Sequence, residues 1–100
     1  MGLIADLFSR GAIARQGQDL ARQFAKRLPK ERVGDAKRVA IELEVLVGNA
    51  LGYQRKADLG VFGKSHLVNS LQWALIEDGY PKEFSQDIGS QLARKLAATA

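Results

Sequence analysis

The sequence predicts an all-α fold: an irregular bundle of four main helices, at about 13–28, 33–51, 66–78 and 82–98, with a short helix at the N-terminus. Three observations carry that reading. Apolar residues recur at intervals of three and four along most of the chain, the repeat of one helix face. Aromatic residues are only 7% of the composition, so the core must be built from Leu, Val, Ile and Ala, a mixture that suits helices better than a β-sandwich. Pro29, Gly52 and the run Asp78-Gly79-Tyr80-Pro81 punctuate the pattern where helices would stop.

The first main helix follows from Ile13, Gly17, Leu20, Phe24 and Leu28, which fall in one narrow stripe. Arg15, Asp19, Arg22 and Lys26 lie on the other side, so the segment is amphipathic. It should stop near Leu28, because the residue before a proline is pushed out of helical geometry. Residues 3–8 are amphipathic too, through Leu3, Ile4, Leu7 and Phe8, but their stripe is rotated by roughly a third of a turn from that of 13–28. Two or three turns cannot hold a helix alone in water. Residues 1–10 are therefore expected to dock, on this chain or on another.

The second helix rests on Ala36, Val39, Ala40, Leu43, Leu46, Val47, Ala50 and Leu51, which share one broad face. Ile41-Glu42-Leu43-Glu44-Val45 alternates as a strand would, yet the helical repeat persists far longer than the alternation. Ile41 and Val45 sit opposite the main face, which predicts a central helix packed on both sides, with Gly52 as its stop. Residues 52–65 read as a long loop, and long loops often carry function. Ser65 is the expected N-cap of the third helix. Its core face is Leu67, Val68, Leu71, Ala74 and Leu75, and Trp73 and Ile76 point elsewhere. The fourth helix places Phe84, Ile88, Leu92 and Leu96 four residues apart, with Arg94 and Lys95 near its negative end.

With 100 residues the chain is one domain with one modest core. It has no cysteine, which excludes disulfides, thiolate metal sites and Cys nucleophiles, and fits a cytoplasmic setting. No stretch holds the ~18 apolar residues that span a bilayer. The start lacks the order of a secretory signal, since Asp6 interrupts its apolar run. Asp6 also stands where a myristoylation motif wants Ser or Thr. Arg10, Arg15 and Arg22 give a faint likeness to a mitochondrial presequence, against which Asp6 and Asp19 argue.

The net charge of +4 is concentrated toward the N-terminus. Arg15, Arg22, Lys26, Lys30, Arg32, Lys37 and Arg38 could track a phosphate backbone, though a solvated helix face accounts for them as well. No aromatics are interleaved to stack on bases, and no named DNA-binding signature is present.

Gly63-Lys64-Ser65 ends like a phosphate-binding loop, but Asp58 stands where the full pattern needs glycine, and no strand precedes it. What remains is a weak anion site at a helix start, set against ordinary capping. Gly60-Val61-Phe62-Gly63 has the GxxG spacing of a nucleic-acid clamp, with Val and Phe in place of basic residues and no surrounding strands. His66 is the only histidine, with no carboxylates or cysteines at ligand spacing, so no metal or cofactor is implied. Glu42 and Glu44, two apart, point to different sides of a helix and make no acid–base pair. Nothing assembles a nucleophile, so no catalytic site is expected.

The apolar surplus is the most informative feature. Leu3, Ile4, Leu7 and Phe8, then Ile41 and Val45, then Trp73 and Ile76 all face away from the local core stripe. Either a compact fold surrounds the second helix, or these faces meet partners. The expected function is a non-enzymatic protein-interaction module, self-associating into a homo-oligomer or serving as an accessory subunit. Its contact residues would be Leu3, Ile4, Leu7, Phe8, Trp73 and Ile76. The alternative is a small basic protein that binds nucleic acid through its N-terminal third.

Overall fold

In the computed structural model, which describes residues 10–98, the stripe of Ile13, Gly17, Leu20 and Phe24 is buried along helix α1 (Arg10–Arg27). Leu28 still donates its N–H to the Phe24 carbonyl before Pro29 ends the run. A single 3₁₀ turn, Lys30–Arg32, leads to α2 (Ala36–Ala57). Asp35 caps α2 by accepting from the Arg38 N–H at 3.2 Å. Helix α3 is Val61–Glu77 and α4 is Lys82–Ala98. The described residues thus form an all-α bundle of four helices with no strand. Among them, no helix is long and apolar enough to cross a membrane.

Gly52 does not stop α2. The helix continues to Ala57 and ends in a left-handed Asp58 (φ 53°), whose N–H reaches Arg55 O while the Leu59 N–H bonds Gln54 O. That hydrogen-bond pair is a complete helix stop without glycine, and it moves the boundary by six residues. The predicted loop 52–65 shrinks to Asp58, Leu59 and Gly60, and Gly60, not Ser65, is the N-cap of α3. At the other end of α3 the Asp78-Gly79-Tyr80 stop behaves as expected. Gly79 takes φ 107°, and the Tyr80 N–H bonds Leu75 O.

Around the bundle the packing order is α1–α3–α4–α2. α1 and α3 run in the same direction, with Gly17 against Leu67 and Ser70 and with Ala21 and Ala25 beside Ala74. α4 runs against α3, with Gly89 under the Gln72 side chain. α2 closes onto α1 and α4, and Asn49 donates to Gln23 across the α1 seam at 3.2 Å.

The core joins Leu20, Phe24, Leu28, Leu46, Leu67, Leu71, Leu75, Ile88, Leu92 and Leu96. At its lower end Phe24, Tyr80 and Phe84 group their rings within 6.3 Å of one another. The second helix is not the surrounded one. Ile41 is 56% exposed, and α2 buries a single stripe through Glu42, Leu46, Ala50 and Gln54. The helix whose sequence is apolar on both sides and which packs most extensively, against α1 and α4, is α3.

Candidate interaction face

Along α3, Leu67, Val68, Leu71 and Leu75 turn into the core. On the opposite side stand Phe62, 90% exposed, and Trp73, 57% exposed. At about 100° and 1.5 Å per residue, eleven positions bring the second ring back to within about 20° of the first and about 16 Å further along the axis. His66 and Asn69 occupy the same side between them. The result is a ridge with an aromatic ring at each end and two polar side chains in the middle.

Small residues seat the neighbours of α3 on either side of this ridge. A Cβ on Gly17 would lie 2.7 Å from Ser70 Cβ and 2.9 Å from the Leu67 carbonyl oxygen, so α1 and α3 touch backbone to backbone there. A Cβ on Gly89 would collide with Gln72 Oε1 at 2.3 Å. Gly17 thus seats the α1 backbone directly on α3, and Gly89 leaves room for the Gln72 side chain over α4. Ile13, Phe62, Ser65, His66 and Asn69 line a hollow on the α1 side. Further down the same side, Gln18, Arg22, Ala25 and Lys26 face Ala74 and Glu77 across a groove of about 540 Å³. On the α4 side, Val61, Lys64, Ser65, Val68, Ala93 and Ala97 line a second, mainly apolar trough. Val61 itself is 75% exposed.

Of the residues expected at a partner face, Trp73 is on the ridge and Ile76 is half-buried beside it. Leu3, Ile4, Leu7 and Phe8 lie outside the described residues. Phe62 is the exposed ring on this face that sequence reasoning missed, because it falls inside the predicted loop. Its spacing of eleven from Trp73 is the signal that would have found it.

Several of the basic residues have carboxylate partners. Arg22 pairs with Asp19, Lys30 with Asp78 at 3.2 Å, and Arg32 with Asp35 at 3.7 Å. Lys30 also lies 4.9 Å from the centre of the Tyr80 ring. Arg38 pairs with Glu42 at 3.2 Å and donates to the Arg27 carbonyl at 2.7 Å. Arg15, Lys26 and Lys37 are exposed. Carboxylates thus offset four of the seven residues in the proposed phosphate-tracking stripe.

Gly63, Lys64 and Ser65 are not ahead of a helix but within its first two turns. The Lys64 N–H is bonded to Gly60 O, and a Cβ on Gly63 would lie 3.1 Å from Leu59 Cδ2. The open anion cradle that the loop reading required is therefore not formed by these three residues. Among the described residues no three His, Asp or Glu side chains gather closely enough to hold a metal ion. No family model, no curated protein and no solved structure matches the chain.

Proposed function

We propose that this chain is a non-enzymatic protein-interaction module that self-associates, and that the ridge of α3 is its contact face. The observation that supports the reading is the pair of outward rings, Phe62 and Trp73, on a helix that is also apolar toward the core. A helix with apolar residues all round is normally covered on every side. Tryptophan and other aromatics anchor interfaces by filling pockets on the partner, and the hollows flanking the ridge supply such pockets.

Light scattering of the native chain beside Phe62→Ser and Trp73→Ala tests the proposal. Loss of the associated species in both variants, with helicity by circular dichroism unchanged, is the expected result. Association that survives both changes would place the contact face elsewhere. A native chain that stays monomeric at every concentration would remove self-association altogether.

A further inference from the structure

We propose that two copies pair through this ridge with their α3 helices antiparallel, about a two-fold axis level with the midpoint between His66 and Asn69. The inference rests on the self-association reading above and specifies its partner and register.

The ridge reads the same in either direction by chemical class: Phe62, His66, Asn69, Trp73. The midpoint of Phe62 and Trp73 is also the midpoint of His66 and Asn69. A two-fold axis at that level sets each Phe62 against Trp73 of the second copy, twice over, and brings His66 and Asn69 together near the axis. Aromatic rings then meet rings and polar groups meet polar groups. The parallel alternative sets Phe62 on Phe62 and gives up the antiparallel use of helix dipoles.

Charge agrees with self-pairing. A two-fold contact brings each residue near its own copy at the axis, so a charged centre would repel itself. α3 holds only Lys64 and Glu77 as charged residues, and neither lies among the four of the ridge. The basic Arg22 and Lys26 of α1 lie across the groove from Glu77 and Asp78, at the Trp73 end of the ridge and away from the level of the axis.

Size agrees too. The protein measures 46 × 26 × 19 Å, so a face as long as α3, about 24 Å, and about 20 Å wide is available on each copy, and covering it would bury roughly 1,000 Å² over two copies, the lower bound for a specific interface. Ridge-into-groove packing lets each α3 settle beside the other at the usual helix spacing.

The chain has no cysteine, so single cysteines report contacts cleanly. Phe62→Cys and Trp73→Cys are made on separate, differently tagged chains and mixed under mild oxidation. In the antiparallel pair the mixed dimer keeps one native Phe62–Trp73 contact and sets the two cysteines against each other. A Phe62→Cys chain paired with itself holds its cysteines about 16 Å apart, too far to bridge. The expected result is a disulfide-linked mixed dimer in roughly tenfold excess over either homodimer. Both positions are exposed, so neither change disturbs the core.

Homodimer disulfides from each chain alone would overturn the register in favour of parallel pairing. Mixed cysteine chains that are still dimeric by mass at the concentration used, and yet yield no disulfide, would overturn the ridge as the contact while leaving self-association standing. A chain that is monomeric by mass, and that dimerises only once residues 1–9 are removed, would show that this segment covers the ridge and would overturn the proposal.

Discussion

The Tyr80 hydroxyl donates a 2.5 Å hydrogen bond to the Leu28 carbonyl, joining the end of α1 to the turn between α3 and α4 across 52 positions of sequence. Pro29 lacks an N–H and breaks the helix there, and Leu28 O takes this bond from a distant side chain instead. The ring that carries the hydroxyl is itself packed against Phe24 and Phe84.

Tyr80→Phe keeps the ring and removes the donor, leaving a buried carbonyl without this partner. The expected cost is about 1–2 kcal/mol, read as a fall in melting temperature. Tyr80→Ala also empties the aromatic group and should cost about 3–5 kcal/mol.

The same hydroxyl sets an alkaline limit. Burial, then the nearby charges of Asp78 and Glu31, raise the Tyr80 pKa above 10.0. Burial raises Tyr53 as well. The folded chain therefore keeps these protons at a pH where the unfolded chain loses them. Their contribution is fully present below pH 10.0 and declines as pH rises through the raised values. Denaturant midpoints measured from pH 8 upward should fall beyond that point, and Tyr80→Phe should flatten the fall.

Glu42 is 5% exposed and receives Arg27 Nε at 2.5 Å and Arg38 Nε at 3.2 Å. Either guanidinium alone still compensates the carboxylate. Arg27→Ala and Arg38→Ala should each cost about 1 kcal/mol, and the double change about 3–5 kcal/mol, because it strands a buried charge. A double-mutant cycle on unfolding free energies measures the excess.

Three glycines in helices should respond in opposite directions. Gly48 and Gly52 lie within α2 with open space where a Cβ would go. Gly48→Ala and Gly52→Ala should each stabilise by about 1 kcal/mol. Gly17→Ala forces α1 away from the Leu67 carbonyl and should destabilise by about 1–3 kcal/mol.

The fold class and the faces of α1, α3 and α4 were legible because their periodicity runs unbroken. Ile13, Leu20, Phe24, Leu67, Leu71, Leu75, Ile88, Leu92 and Leu96 are all buried as their spacing requires. The region from Gly52 to Ser65 departs from its sequence pattern for a physical reason. Glycine is the stop that the sequence offers, whereas the helix end is made by Asp58 in a left-handed conformation that few non-glycine residues adopt. That difference hid Phe62. Sequence also could not show that α2 lies at the side of the bundle, since an apolar second face on Ile41 and Val45 looks the same whether a neighbour or solvent meets it. Trp73 was identifiable as a residue pointing away from the core, and only its companion at position 62 makes it part of a face.

Trp73 is the only tryptophan, so its fluorescence reports directly on the ridge. The decisive measurement is its emission maximum and its quenching by acrylamide across a dilution series of the native chain. Self-association through α3 predicts blue-shifted, protected emission at high concentration that moves to the red and becomes quenchable on dilution, with Phe62→Ser red-shifted throughout. Emission that is red and fully quenchable at every concentration, or protected to the same degree at every dilution, would contradict it.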